Sequence, residues 1–291
     1  MSGDDRFRYP LTSAVQALEI NIFQRVSHDA LPVMSRRTHT KLKGAPDYDD
    51  PEFWNTRFAT GEDVGEWLNS GEALLEAVLA DLGNRSSVIL GKVPRVLHLG
   101  PGVSKLGCTL RDKCVEREWQ GNGIVNADFS TEAVRIGSEF ERTKNPMHAM
   151  QWMRADLRLW KEVSVLSEFA PFDVILDKST SDAISTSGDL KINSDEELLA
   201  NCPIVIDILS RYPGATLSPV ELLALQLVPL TEKGSAWMAL SYSTMRFEGL
   251  NFMAEYWTLR SRIALKAPAG PVSSSTHTPE VFHWLYILER K

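Results

Sequence analysis

Four strand-like apolar runs in this 291-residue sequence either lead into a glycine-rich turn or end in an aspartate. The residues at these positions are Gly100, Pro101, Gly102, Asp128, Asp156 and Asp177. Glycine lets a ligand approach the backbone closely, and a carboxylate accepts hydrogen bonds from hydroxyl and amino groups. Because these residue types recur at successive run ends, the pattern predicts a binding site for a ligand that carries such groups.

The spacing of the first two run ends is typical of nucleoside binding. Asp128 follows Gly102 by 26 residues, a distance suited to a carboxylate that accepts hydrogen bonds from ribose hydroxyls. Asp156 would then accept a hydrogen bond from the adenine amine, while Leu157 or Phe129 flanks the ring. The structural alternatives are a simple turn for the glycines, a helix cap for Asp128 and a surface acid for Asp156.

The glycine-rich turn departs from the dinucleotide-binding pattern. Its sequence is GPGVSK, so Lys105 stands where G-x-G-x-x-G has its third glycine. That glycine allows close packing of helix and strand, which a lysine side chain obstructs. A dehydrogenase is therefore disfavoured.

The apolar runs indicate the elements that position these residues. Strands are predicted in RVLHLGPG, at 123–130, 150–157, 172–179, 236–243 and 282–288, with a further apolar segment at 257–265. Helical patterns lie between them, for example at 131–142. This alternation predicts a doubly wound α/β fold, whose mostly parallel sheet carries a C-terminal antiparallel strand. Ligands bind beyond the carboxyl ends of such strands.

We predict an N-terminal extension at 1–50 and one domain at 51–291. A basic run at 36–43 in the extension is interpreted as a solvated face, or alternatively as a contact for a protein or peptide. Residues 194–232 hold two helical patterns, the second with Ser218 as its cap. Since a crossover needs only one helix, the other is a candidate lid or substrate-recognition insertion.

Composition excludes several classes of protein. The 31 Lys and Arg against 38 Asp and Glu give a formal charge of −7, which disfavours a nucleic-acid partner. The first ten residues, MSGDDRFRYP, lack the apolar region of a signal peptide, and no membrane span is expected. Cys108, Cys114 and Cys202 lack CxxC spacing, which argues against disulfides and a metal site. We expect a cytoplasmic protein, and the oligomeric state is left open.

Five blocks carry a resemblance to a known family: DPEFWNTRF, EWL, HLGPGVSKLG, IVNADFSTEAV and FDVILDKSTSDAI. They resemble the class I, or seven-β-strand, S-adenosylmethionine-dependent methyltransferases. The nearest branch is the lysine methyltransferase-like one that includes eukaryotic elongation factor 1A methyltransferases. The resemblance implies a Rossmann-like seven-stranded sheet, methyltransferase activity and S-adenosylmethionine as cofactor. Ser104 fits the branch, whereas Ser179 and Ser181 replace the glycine and leucine of a DKGTLDA-like motif. His98 stands where many methyltransferases carry an acid.

The resemblance also assigns residues to the cofactor. Trp54 and Arg57 would lie against it, with Arg57 on its carboxylate. The alternative is that Trp54 and Trp67 are core aromatics and that Arg57 forms a surface ion pair. The complete predicted cofactor set is Trp54, Arg57, Gly100, Pro101, Gly102, Asp128, Phe129, Asp156, Leu157 and Asp177.

The predicted catalytic residues, Asp177, Lys178 and Asp182, lie at or just after the end of the fourth strand. Methyl transfer from a sulfonium depends chiefly on alignment of donor and acceptor. If the acceptor is an amine, Lys178 would lower its pKa, and Asp177 or Asp182 would position it or take its proton.

The acceptor is expected to be a small molecule methylated on nitrogen. The surplus helix and an aromatic, Met-rich C-terminal part would close over an apolar compound, and fungal secondary-metabolite N-methyltransferases are a similar case. The first alternative is a protein lysine N-methyltransferase. The second is a non-catalytic binding protein with this fold, since His98 and Ser179 depart from common patterns.

Overall fold

A seven-stranded sheet with the order β3-β2-β1-β4-β5-β7-β6 organises the protein. The computed structural model describes residues 46–61, 66–85, 93–268 and 280–291. The strands are β1 Val96–Leu99, β2 Ile124–Asp128, β3 Gln151–Arg154, β4 Phe172–Lys178, β5 Thr231–Ser241, β6 Trp257–Lys266 and β7 Phe282–Arg290. Among the strands of the described residues, six point in the same direction, and β7 runs opposite to them and pairs antiparallel with β5 and β6. The predicted fold is therefore confirmed, with the antiparallel strand one position from the edge.

Helices cover both faces of this sheet. Those in the described residues are α1 Pro51–Ala59, α2 Glu72–Asn84, α3 Leu106–Glu116, α4 Thr131–Glu141, α5 Trp160–Val163, α6 Thr180–Ile184, α7 Asp195–Leu199, α8 Pro203–Arg211 and α9 Pro219–Leu227. Short 3-10 turns follow at Ser164–Phe169, Val228–Leu230 and Met253–Glu255. None of the described helices has the length and apolar character needed to cross a bilayer.

The central strands β1, β2 and β4 are buried along almost their whole length because both of their faces are covered. In β4, Val174 and Leu176 pack on one face, in a cluster that includes α2 and α3. Ile175 packs on the opposite face, in a cluster that includes α9. Successive side chains of a strand therefore lie on opposite sides of the sheet. The side on which a strand-end residue lies determines whether it can meet a ligand.

The region 194–232 contains three helices. Every residue of α9 is buried, and the Ser218 hydroxyl accepts a hydrogen bond from the backbone N–H of Glu221, as expected of a cap. α8 buries Val205, Ile208 and Leu209 in a separate small cluster with part of α9. α9 is thus the crossover helix between β4 and β5, and α7 and α8 are the surplus.

The direction of strand order reverses between β1 and β4, which pair in parallel. In open α/β sheets the ligand crevice forms at such a switch point. Most of the predicted extension, including its basic run, lies outside the described residues.

Candidate functional site

The turn after β1 has a backbone that only glycine adopts readily. Gly100 and Gly102 have φ values of +48° and +53°. A Cβ at Gly100 would lie 2.6 Å from Thr180 Oγ1, and one at Gly102 would lie 3.1 Å from Phe58 Cζ. The turn is therefore packed between α6 and α1 and has no room for side chains at these two positions.

Asp128 joins the end of β2 to this turn. Its carboxylate accepts hydrogen bonds from the backbone N–H groups of Gly102 and Ser130, both at 2.8 Å. Burial raises the pKa of Asp128 to about 6, although hydrogen bonds from the backbone oppose the rise. The side chain is therefore held in one orientation at the strand end.

A cavity of about 320 Å³ lies at the carboxyl ends of β1 to β4. That volume is within the range of small-ligand and cofactor sites. The predicted residues that line it are Trp54, Gly100, Pro101, Gly102, Asp128, Phe129, Asp156, Leu157, Lys178 and Asp182. The structure thus brings into one crevice all of the predicted site residues except Arg57 and Asp177.

An aromatic wall, made of Tyr48, Trp54, Phe58 and Trp67, covers one side of the cavity. The Trp54 ring stacks on Phe58 at 5.6 Å, and its indole N–H donates to the Tyr48 carbonyl oxygen at 2.9 Å. Asn55 fixes α1 by accepting a hydrogen bond of 2.7 Å from the Ser130 hydroxyl. Because Tyr48 precedes residue 50, the cavity extends across the predicted boundary of the extension.

Asp156 is paired with an arginine that sequence reasoning did not single out. Arg158 donates to both carboxylate oxygens, at 2.9 and 2.7 Å, and its guanidinium carbon lies 6.0 Å from the Phe129 ring centroid. Arg158 also lies 3.6 Å from Asp49. An adenine amine at Asp156 would therefore share this carboxylate with Arg158.

Asp177 faces away from the cavity. It is fully buried, and it accepts hydrogen bonds from the backbone N–H of Thr180 at 2.9 Å and from the Trp237 indole at 3.3 Å. Burial raises its pKa to about 6. Asp177, predicted to meet the ligand, is therefore absent from the cavity lining, and its side chain holds the turn in which Ser179 has a φ of +66°.

Asp182 lines the cavity as one half of a buried ion pair. Its Oδ1 accepts hydrogen bonds from Arg246 Nε at 2.8 Å and from the Ser241 hydroxyl at 2.5 Å. Its Oδ2 accepts from the Tyr242 backbone N–H at 3.2 Å. The negative charge predicted to serve an acceptor amine is therefore already compensated by Arg246.

Lys178 is likewise paired, with Glu66. Glu66 also accepts hydrogen bonds from the Lys105 backbone N–H at 3.0 Å and from the Ser104 hydroxyl at 2.9 Å. Burial by itself would raise the pKa of Glu66, but hydrogen bonds from Lys178, Lys105 and Ser104 bring it below its usual value. This carboxylate thus connects the end of β4 to the glycine turn.

His98 lines the cavity without charge. Asn126 donates its side-chain N–H to the Gln151 carbonyl oxygen at 3.3 Å, so its Oδ1 is the acceptor for His98 Nδ1 at 3.0 Å. Burial lowers the pKa of His98 to about 4. At neutral pH the ring is therefore neutral, with its proton on Nδ1 and a lone pair on Nε2.

Two predictions concern residues that lie away from the cavity. Arg57 is absent from the lining, and its guanidinium carbon lies 5.3 Å from the Phe53 ring centroid. No described residue of 194–232, the candidate lid, lines the cavity either. The cover is the aromatic wall instead.

Comparisons with known proteins show that this chain is similar in sequence to methyltransferases. No family model matches it. It is 28% identical over 251 residues to Methyltransferase srdJ of Neurospora crassa, and the matched segment covers 84% of this chain and 85% of that protein. It is 24% identical over 195 residues to Protein-lysine N-methyltransferase EFM4 of Saccharomyces cerevisiae, covering 65% of this chain and 80% of that protein.

Comparison with solved structures also returned methyltransferases, among them the following two. N-methyltransferase NodS of Bradyrhizobium japonicum, in complex with S-adenosyl-L-homocysteine, matches with a TM-score of 0.46 and 10% identity, covering 84% of this chain and 99% of that one. A SAM-dependent methyltransferase of Anabaena variabilis matches with a TM-score of 0.45 and 12% identity, over 84% and 95% of the two chains.

Proposed function

We propose that this chain, which belongs to the class I S-adenosylmethionine-dependent methyltransferases, transfers the methyl group to a nitrogen atom of a small, largely apolar molecule. The observation that carries the acceptor class is the combination of an aromatic wall with carboxylates that are already paired. A secondary metabolite is the acceptor class we favour, by comparison with fungal secondary-metabolite N-methyltransferases, and one fungal relative, srdJ, is named a methyltransferase.

The residues present fit an adenosyl ligand. Gly100, Pro101 and Gly102 line the cavity, and Asp128 stands beside the turn that they form. A carboxylate has about four lone-pair positions. Among the described residues, hydrogen bonds from Gly102 and Ser130 occupy two of those of Asp128, and the Phe129 backbone N–H also stabilises the carboxylate. A remaining position would accept a hydrogen bond from a ribose hydroxyl. Phe129 and Leu157 would flank the adenine, and Trp54 would lie against the ligand from α1.

When bound, S-adenosylmethionine supplies an electrophilic methyl group on a sulfonium sulfur. The chain itself holds the acceptor in line and excludes water. Asp128 and the glycine turn fix the ligand, and the aromatic wall displaces solvent from the reacting region. Asp177 is a positioning residue, because it fixes the turn at Ser179 without touching the cavity. Asp182 acts similarly by holding Tyr242 at the rim.

The cavity favours an apolar acceptor over a lysine ammonium ion. Asp182 is compensated by Arg246, Asp156 by Arg158, and Glu66 by Lys178. A lysine would have to reach the site and lose a proton without an uncommitted carboxylate among these three. Trp67 and Tyr242 are 38% and 55% exposed, so a small aromatic or aliphatic molecule would cover apolar surface on binding.

The alternative acceptor is a protein lysine. One relative, EFM4, is named as a protein-lysine N-methyltransferase, and the segment DKSTSDA is similar to the DKGTLDA-like motif of that branch. This alternative requires a chain segment to enter beside Trp67 and Tyr242 and a carboxylate to leave its cationic partner.

Transfer of labelled methyl groups in a cell lysate separates the two acceptor classes. The purified chain is incubated with methyl-labelled S-adenosylmethionine, and protein and metabolite fractions are counted separately. We expect the label among metabolites, and we expect excess S-adenosylhomocysteine to suppress it. Label on lysine residues of a protein would instead establish the alternative, and an absence of transfer despite cofactor binding would refute the proposed activity.

A further inference from the structure

We infer that Lys178 binds the carboxylate of the cofactor's amino-acid end, the role predicted from the sequence for Arg57. This inference rests on the S-adenosyl ligand and is independent of the acceptor class. It gives Lys178 a task in cofactor binding instead of a direct effect on an acceptor amine.

The order of the strands sets the direction of the ligand. If the ribose is bound by Asp128 at the end of β2, and the adenine lies toward β3 near Phe129, the opposite end of the ligand extends over β1 toward β4. Leu99 at the end of β1 pairs with Asp177, so Lys178 is the next residue along that neighbouring strand. The amino-acid end is thereby directed to Lys178.

Among the residues that the structure describes, the ammonium group of Lys178 has partners for two of its three N–H donors. An ammonium carries three N–H donors. Two are directed to Glu66 and to the Asn69 carbonyl oxygen, the latter at 3.2 Å. The side chain is only 4% exposed, so bulk water is largely kept from the third donor, and the residue lines the cavity. Because Glu66 is itself held by the glycine turn, the ammonium group is fixed before any ligand arrives.

Of the described cationic side chains around the cavity, Lys178 is the one positioned to bind a carboxylate at the amino-acid end of the ligand. Among the cavity-lining residues that the structure describes, the lysine and arginine side chains are Lys178 and Arg158. Arg158 is engaged by both oxygens of Asp156 near the end of β3, toward the adenine. His98 adds no negative charge that would repel a carboxylate. A carboxylate buried at the amino-acid end needs a cationic partner. Lys178 would be shared between this carboxylate and Glu66, which also accepts hydrogen bonds from the Ser104 hydroxyl and the Lys105 backbone N–H.

Calorimetry with two ligands tests this assignment. The ligands are S-adenosylhomocysteine and its decarboxylated analogue, which retains the amine and the adenosine. Wild-type protein should bind the analogue about tenfold or more weakly, because a hydrogen bond between charged groups is lost. Lys178→Met should weaken S-adenosylhomocysteine by a similar factor and leave the analogue within about twofold of its wild-type affinity. Lys113→Met, which removes a lysine from a surface pair with Glu116, is the matched control and should change neither affinity.

Several outcomes would overturn the inference. Equal weakening of both ligands by Lys178→Met would make the lysine a purely structural residue, and a carboxylate-selective loss in Arg57→Met would return the role to Arg57. If Lys178→Met fails to fold, Lys178→Gln takes its place. Equal binding of the two ligands by the wild-type protein would still contradict a bound carboxylate. Weaker binding of the analogue by the wild type, together with a loss of S-adenosylhomocysteine affinity alone in Lys178→Gln, would support it. Failure of wild-type protein to bind S-adenosylhomocysteine would count against the cofactor itself, a separate result.

Discussion

Replacement of Gly100 by alanine should destabilise the protein more than the same change at another left-handed glycine. Gly100 has a φ of +48°, a conformation that raises the free energy of an alanine by roughly 1–2 kcal/mol. The new Cβ would also lie 2.6 Å from Thr180 Oγ1, which donates a 2.7 Å hydrogen bond to the Leu99 carbonyl oxygen. Moving Thr180 aside loses a further 0.5–1.5 kcal/mol or so. We therefore expect Gly100→Ala to lower the free energy of unfolding by about 2–3 kcal/mol.

Gly214 provides the matched control. Its φ is +81°, and a Cβ there would meet no atom within 4 Å. Gly214→Ala should therefore show only the backbone part, about 1–2 kcal/mol. Urea unfolding with linear extrapolation measures both variants. The double variant Gly100→Ala/Thr180→Ala should lose less free energy of unfolding than the sum of the losses in the two single variants. The reason is that Thr180→Ala removes the atoms nearest to the new Cβ.

The same variants connect the packing of the turn to ligand binding. Gly100→Ala should weaken S-adenosylhomocysteine in calorimetry because the displaced turn carries the Gly102 N–H that orients Asp128. Gly214→Ala should bind like the wild type. If the two variants are equally stable, or if Gly100→Ala keeps wild-type affinity, the argument that Thr180 and the glycine turn are packed as one unit is refuted.

Three further predictions concern charge and the cavity rim. Arg246→Met leaves Asp182 buried without its cation and should lower the free energy of unfolding by about 3–5 kcal/mol in urea titrations, a loss that a second change, Asp182→Asn, should partly restore. The pKa of His98 is about 4 in the folded protein and near 6.5 in the unfolded chain. Between these values His98 is protonated in the unfolded chain and neutral in the folded protein, which favours unfolding. The stability of wild type relative to His98→Asn should therefore rise with pH between about 4 and 6.5, by on the order of 3 kcal/mol, and stay constant above, and a flat difference across this window would contradict a buried neutral ring. Trp67→Ala should raise the KM for an apolar acceptor severalfold, whereas Tyr212→Ala, which removes an exposed aromatic outside the cavity lining, should not; equal KM values in steady-state assays would remove Trp67 from the acceptor site.

The central strands β1, β2 and β4 were predictable because burial on both faces favours mostly apolar runs. β5 begins at Thr231, earlier than the predicted segment at 236–243, because its first part contains exposed residues such as Glu232 and Lys233 that interrupt the apolar signal. α1 escaped prediction for a related reason, since Phe58 is its only buried residue and its apolar stripe is short.

The site residues were predictable where the backbone alone decides their position. Glycines and Asp128 at strand ends need no knowledge of packing. Arg57 shows the limit, because Trp54 and Phe58 are four residues apart and share the helix face that lines the cavity, whereas Arg57 shares another face with Phe53. Helical spacing applied to PEFWNTRFA contains this information, but only once the segment is known to be a helix.

Partners distant in sequence could not be identified from local patterns. Glu66 meets Lys178 across 112 residues, and Arg246 meets Asp182 across 64. Asp177 and Lys178 are adjacent in sequence, yet strand alternation sends them to different sides of the sheet, so only the lysine lines the cavity. Which strand-end acid meets a ligand therefore depends on the register and on the pairing of charges in three dimensions.

A crystal structure of the chain with S-adenosylhomocysteine tests the central claim most directly. The account predicts density in the crevice beyond β1 to β4, with the ribose hydroxyls within hydrogen-bond distance of Asp128 and the adenine beside Phe129. A ligand bound elsewhere, or one in this crevice that leaves Asp128 bonded only to Gly102 and Ser130, would contradict it.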